Sequence, residues 1–169
     1  ARTNSVETKI NGTIFDRQIS IRKRNDGGYT VAHGSTFDHA ITPSSLRYSK
    51  KYLRALINEF SVLKLSIGAD FLDEFAAPKQ WDLDKKSPFE MNRVLNPKPN
   101  KKTISQIQKK LGEVYPELRN ANIVESWAGM VETTPDVVPV ISHIDKIPGF
   151  YLSTGFSGHG FGIGPGAGS

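Results

Sequence analysis

The sequence predicts an α+β domain built on a largely antiparallel sheet, and three observations carry that reading. Two period-two runs flank an Asp-Gly-Gly turn near the start, one long and one short stretch repeat their apolar residues at helical spacing, and three strand-like runs follow in quick order after residue 122. With 169 residues and 37% apolar side chains, the chain is long enough to bury a core of its own.

The first element is a β-hairpin. Residues 13–24 alternate around Ile19 and Ile21, Asn25-Asp26-Gly27-Gly28 supplies the turn, and Tyr29-Thr30-Val31-Ala32-His33 returns. Thr42-Pro43 then reads as an N-cap and first helical residue. Leu46, Leu53, Leu56, Ile57, Phe60 and Leu63 recur at three, four and seven residues, so the expectation is a helix of about five to six turns with that face toward a core. Because a lone hairpin is marginal, residues 13–34 and 122–155 are expected to share one sheet covered by the Leu53/Ile57/Phe60 face.

Residues 72–102 break the pattern. Pro78, Pro88, Pro97 and Pro99, with Trp81 and Phe89 set among charges, predict an irregular excursion, either a lid or a surface segment tacked down by its two aromatics. Thr103-Ile104-Ser105-Gln106 then reads as a capping box, with Ile104, Ile107 and Leu111 on one face of a short helix that Gly112 is expected to end. The three later strand runs fall at 123–131, 137–143 and 150–154, separated by Thr134-Pro135-Asp136 and by a turn at 145–149. Asp136 is read as fixing its turn through side-chain acceptors, and Trp127 as a packing residue.

Several function classes are disfavoured. No stretch approaches the roughly 20 apolar residues of a spanning helix, and the N-terminus lacks a charged-then-apolar signal pattern. Zero cysteines leave no disulfide framework and no thiolate site, which accords with a cytoplasmic setting. The four histidines show no His-Glu-x-x-His spacing, so no metal is expected. The net charge of +5 divides unevenly, with 21 Lys/Arg against 13 Asp/Glu in residues 1–119 and one against four in 120–169. The basic clusters are short, scattered and mixed with acids, which favours a solvated surface over a phosphate-binding stripe. A basic module for nucleic acid or an acidic partner stays as the alternative.

The last fifteen residues hold seven of the chain's fifteen glycines. Such a backbone suits a loop that presses bare main chain against a flat or anionic ligand ahead of a helix, and no helix is expected to follow here. Gly162-Ile163-Gly164-Pro165-Gly166-Ala167 formally fits Gly-x-Gly-x-x-Gly/Ala, but the βαβ context and downstream acid of a dinucleotide fingerprint are missing. Gly155-Phe156-Ser157-Gly158-His159 has His where the nucleophile elbow of a serine hydrolase needs glycine.

Three blocks do stand out together: residues 126–141, beginning Ser126-Trp127-Ala128-Gly129 and containing Thr134-Pro135-Asp136; Pro148-Gly149-Phe150-Tyr151-Leu152; and Gly155-Phe156-Ser157-Gly158-His159-Gly160-Phe161. In this order they resemble the C-terminal part of the FAD-dependent oxidoreductases of the D-amino-acid oxidase and sarcosine oxidase superfamily. The resemblance covers residues 122–169, and the hairpin at 18–34 matches the substrate-side strands of such enzymes.

The resemblance implies a division of labour. Residues 1–121 would form part of the substrate-binding domain, 122–169 would return toward the FAD-binding domain, and the N-terminal Rossmann FAD domain would be absent. The parent protein would oxidise the C–N bond of an amino acid or amine by hydride transfer to FAD, and this stretch alone would be inactive and bind no FAD. Ser157, Gly158, His159, Gly160, Phe161 and Gly162 are the implied flavin-side residues, and His33 the implied substrate-facing candidate. Sarcosine-oxidase-like members carry a basic residue after Gly-His-Gly-Phe where this chain has Gly162, which argues against sarcosine itself. Flavin domains of this superfamily also occur in RNA-modification enzymes, a second alternative.

Overall fold

The computed structural model describes residues 1–34 and 36–169, with the side chain of Glu59 outside the description. Along the chain run β1 (Arg2–Thr3), β2 (Thr13–Ile14), β3 (Ile19–Lys23), β4 (Tyr29–His33), β5 (Phe37–Ala40), α1 (Pro43–Glu59), β6 (Leu63–Ser66), α2 (Ala69–Ala76) and α3 (Pro88–Met91). Then come α4 (Lys101–Val114), a 3-10 turn (Pro116–Leu118), β7 (Ile123–Glu125), β8 (Val140–His143), β9 (Tyr151–Thr154) and α5 (Gly160–Ala167). The class is α+β with mostly antiparallel pairing. The residues gather into two compact units interleaved in sequence: Ala1–His39, Val62–Lys64 and Gln80–Gly129 form the first, and Ala40–Ser61, Leu65–Lys79 and Met130–Ser169 the second.

The first unit holds a five-stranded sheet in the order β2-β3-β4-β1-β7. Each adjacent pair is antiparallel. The β3–β4 hairpin is the one read from the sequence, and its register sets Ile21 opposite Val31 and Lys23 opposite Tyr29. Period-two alternation turns Ile19, Ile21, Tyr29 and Val31 to one buried face. The turn depends on backbone freedom: Gly27 has φ +84°, and a Cβ on Gly28 would lie 3.1 Å from Asn4 O. The Asp26 carboxylate accepts from Gly28 N–H at 3.0 Å, fixing the loop from within.

The helix that covers this sheet is α4. Ile107 and Leu111, one turn apart, are buried with Leu118 and Ala121 in the same core as the hairpin residues. The Tyr29 hydroxyl donates to Ile10 O at 2.7 Å, so the ring stays buried with its polar end satisfied. Asn100, not Thr103, caps α4, its Oδ1 accepting from Lys102 N–H at 3.0 Å and Thr103 N–H at 3.4 Å. Nor does Gly112 end the helix. A Cβ there would sit 3.1 Å from Arg119 Cα, so this glycine lets the 3-10 turn cross close to α4.

The expectation for the long helix is corrected. Thr42 and Ser45 do form a capping box with Pro43 at the first position, but the Leu53, Ile57 and Phe60 side chains are 58%, 69% and 68% exposed. The helix turns Tyr52, Ala55 and Leu56 to partial burial, so Leu56 is the one helical member of the expected face that is half-buried, and Leu63 lies beyond the helix in β6. The Tyr52 hydroxyl donates to Thr133 O at 2.8 Å within the second unit. Sequence spacing located the helix and its apolar stripe, but α4 had already supplied the cover for the sheet. The single shared sheet is corrected as well: β7 joins β1, whereas among the described residues β8 and β9 form a separate two-stranded sheet. Strands β5 and β6 form a further two-stranded sheet. Phe37 N–H donates to Val62 O at 3.0 Å and Ile41 N–H to Ser66 O at 2.8 Å, an advance in one direction that makes the pair parallel with α1 as its crossover.

The excursion is as irregular as its prolines imply, with α2 and the four-residue α3 as its helices. Trp81 and Phe89 meet edge to face with centroids 5.7 Å apart.

Candidate functional site

The second unit contains the glycine-rich end. Strands β8 and β9 pair Val140 with Thr154 and His143 with Tyr151. The Thr134-Pro135-Asp136 turn precedes β8, and the Asp136 carboxylate accepts from Val138 N–H at 3.1 Å, the role its residue type implied. After Thr154 the chain turns sharply. Gly155, Ser157 and Gly158 all have positive φ, at 77°, 50° and 82°. Two of these three are glycines, the residue with no steric penalty there, and Ser157 is stabilised by its hydroxyl donating to Gly155 O at 3.2 Å.

A helix then follows, contrary to the expectation from the sequence. Glycines are poor helix formers, but the turn nucleates α5 locally: His159 N–H donates to Phe156 O at 2.9 Å, and the N–H groups of Gly162 and Ile163 both reach His159 O, at 3.0 and 3.2 Å. His159 is the N-cap and its side chain makes no capping bond. The first N–H groups, at Gly160 and Phe161, therefore point out of the helix start without an intrahelical partner. The whole is a strand, a tight turn and an uncapped helix N-terminus. The formal fingerprint from Gly162 to Ala167 lies inside α5, not at a strand-to-helix turn, so it builds no diphosphate cradle.

The first glycines of the stretch have different reasons to be there, whereas Gly162, Gly164 and Gly166 alike face open space. A Cβ on Gly155 would run into the Thr134 methyl group, and one on Gly160 would lie 3.3 Å from Phe156 Cβ. A Cβ on Gly158 would be an ordinary 3.5 Å from Val131 Cγ1, so its requirement is the backbone angle. At Gly162 a Cβ would meet nothing within 4 Å. The chain's own packing does not call for glycine at 162, where it weakens the helix by about 1 kcal/mol relative to alanine. Bare main chain beside open space thus lies within the first turn of α5, just after the uncapped N–H groups of Gly160 and Phe161. Phe161 is fully exposed beside it.

Glu132 holds the turn, and sequence reading passed it over. Its carboxylate accepts from the Thr154 hydroxyl at 2.8 Å, Gly155 N–H at 2.7 Å and Phe156 N–H at 3.3 Å. The Thr154 hydroxyl first, then the backbone N–H groups, hold its carboxyl below the usual carboxylate range. One signal was visible: residues 120–169 carry four acids and a single Lys, so Glu132 has no basic neighbour in sequence to explain it.

His33 belongs to the first unit and the glycine loop to the second. It stands at the end of β4, half-buried, with Nδ1 3.1 Å from the Thr36 hydroxyl. Burial first, then the charges of Lys110 and Lys64, push its imidazole down from the ordinary value, which keeps it neutral near pH 7. Trp127 is half-exposed.

Residues 5–169 match the family described as FAD dependent oxidoreductase. Over 56 residues the chain is 38% identical to sarcosine oxidase subunit beta of an Arthrobacter species, a stretch covering 33% of this chain and 14% of that protein. The L-amino acid deaminase from Proteus myxofaciens, solved in complex with anthranilate, has a similar structure, with a TM-score of 0.89, 30% identity, and coverage of 99% of this chain and 37% of that one. The L-amino acid deaminase from Proteus vulgaris shares the fold with a TM-score of 0.86 at 24% identity, over 98% of this chain and 38% of that one. The chain thus spans less than two fifths of the length of each of these proteins.

Proposed function

Because the chain belongs to the FAD dependent oxidoreductase family, we propose that it supplies the substrate-side region and a flavin-side loop of an enzyme that oxidises the C–N bond of an amino acid or amine. FAD, when bound, supplies the acceptor for the hydride leaving the carbon next to nitrogen. The remaining work is done by this chain's own residues. Gly158 makes the sharp turn, Gly162 keeps the approach free of side chain, and the N–H groups of Gly160 and Phe161 with the positive end of α5 favour an acceptor oxygen that gains negative charge. Ser157 and His159 shape the loop edge. Residues 1–121 are assigned to substrate and 122–169 to the return toward the flavin, a functional division distinct from the two compact units. His33, neutral and half-buried at a strand end, is the substrate-facing candidate.

The observation that carries the reading is the uncapped start of α5 beside the open space at Gly162. The substrate class is supported by the neighbours, a sarcosine oxidase subunit and two L-amino acid deaminases, one holding anthranilate, which bears an amine and a carboxylate. The diphosphate of FAD would need a strand-to-helix glycine turn supplied from elsewhere. Purified as these 169 residues, the chain is therefore expected to lose FAD on gel filtration. In a longer form that retains FAD, anaerobic addition of L- and D-amino acids and N-methyl amines should bleach the flavin's visible absorbance with at least one of them. Flavin that stays oxidised with every one would overturn the assignment.

A further inference from the structure

We infer that Glu132 is a positioning residue for the flavin-side loop, an inference that rests on the function proposed above. Its carboxylate accepts from three donors on the stretch where β9 becomes the turn. Oε2 takes the Thr154 hydroxyl at 2.8 Å, while Oε1 takes the N–H groups of Gly155 at 2.7 Å and Phe156 at 3.3 Å. Those two N–H groups flank Gly155, whose φ of +77° begins the turn, and Phe156 O receives the bond from His159 N–H at 2.9 Å that leads into α5. Orienting the Gly155 and Phe156 peptides therefore sets the direction in which Gly160 and Phe161 present their N–H groups.

The segment that carries Glu132 is itself held. Thr133 O accepts from the Tyr52 hydroxyl of α1 at 2.8 Å, the Thr134 hydroxyl donates to Val138 O at 3.0 Å, and the Thr134 methyl group occupies the space a side chain at Gly155 would need. A fixed anchor, a carboxylate using both oxygens, and a turn with three positive-φ residues make a clamp. The carboxylate's two oxygens share the three donors, Oε2 taking one and Oε1 two. Glu132 does not touch the flavin in this account. It acts through the loop.

The hydrogen-bond pattern separates positioning from a simple effect of charge. In Glu132→Gln the amide oxygen can still accept from Gly155 and Phe156, and the amide N–H can donate to the Thr154 hydroxyl oxygen. Glu132→Asp keeps the charge but is one methylene too short to reach the three donors, and Glu132→Ala removes every acceptor. In a FAD-retaining form of the protein, the Ala and Asp variants should bind FAD at least about tenfold more weakly and shift the flavin absorbance, whereas Gln should stay near wild type. Glu113→Gln, on the exposed face of α4, serves as the control. Amide exchange at Gly155 and Phe156, measured on the 169 residues alone, should quicken in Ala and Asp but not in Gln. If Gln behaves like Ala, the charge and not the bonding pattern matters, and the positioning role is overturned. If exchange quickens while FAD affinity and spectrum do not move, the clamp has no bearing on flavin, and the role again falls while the flavin assignment stands. A wild-type protein that never holds FAD would remove the proposed function and this role with it.

Discussion

The two compact units are organised by different physics. Every residue of the buried apolar core, from Ile19 to Ala121, lies in the first unit, on the hairpin, α4 and the turn after it. In the second, the large apolar side chains Leu46, Leu53, Ile57, Phe60, Leu72 and Phe75 are exposed, and order at the glycine loop comes from backbone angles and from Glu132, Thr134 and Asp136. The first unit is thus specified by burial and close packing. The loop of the second is specified by hydrogen bonds, by backbone angles and by the absence of Cβ atoms. Stability and chemistry are therefore expected to respond to different substitutions.

The largest effect should come from a charge in the core. Ile21→Asp buries an unpaired carboxylate among Val31, Ile107 and their neighbours and should unfold the first unit, seen as loss of its cooperative thermal transition; a retained transition would break the distinction at its root. Next, Gly160→Leu in a FAD-retaining form should reduce turnover by the equivalent of about 2.7–4 kcal/mol, because the new side chain meets Phe156 and displaces the N–H donors at the helix start. Its melting temperature should fall far less, and equal losses in both would erase the separation between fold and site.

A smaller effect is tied to pH. His33 has its folded-state pKa lowered, chiefly by burial, so the unfolded chain binds the proton more readily. Its contribution to stability is complete above the ordinary imidazole value of about 6.5 and is lost as pH falls through the folded value. Urea midpoints taken from pH 7.5 downward should decline in that window for wild type and less steeply for His33→Gln. The smallest change should be Ile57→Asp. On the exposed stripe of α1 it should alter stability by no more than about 0.5 kcal/mol, whereas a loss comparable to that of Ile21→Asp would mean that α1 covers a core.

Much of the first unit was legible in the sequence because period-two alternation and an Asp-Gly-Gly turn are local signals, and Ile107 and Leu111 repeat at helical spacing. The partner of each apolar face was not. Spacing shows that Leu53 and Ile57 share a stripe but not whether another helix already fills the place it would take, and α4 did. At the loop, the succession of Gly155, Gly158, Gly160 and Gly162 pointed to bare backbone, and the family relationship confirms the kind of protein. The helix was missed because it was sought after the glycine-rich stretch, whereas α5 forms within it, nucleated by bonds to Phe156 O and His159 O that depend on the turn. Glu132 was missed for a related reason: its three donors lie more than twenty residues away in sequence.

The central claim is that part of this chain's glycine pattern serves a bound group and not its own packing, and Gly162→Ala tests it most directly. A Cβ at 162 meets nothing within 4 Å, and alanine is about 1 kcal/mol the better helix former. Measured side by side in a FAD-retaining form, melting temperature should hold or rise while FAD affinity and the rate of flavin reduction by substrate fall. An alanine variant that keeps wild-type affinity and reduction rate would contradict the account.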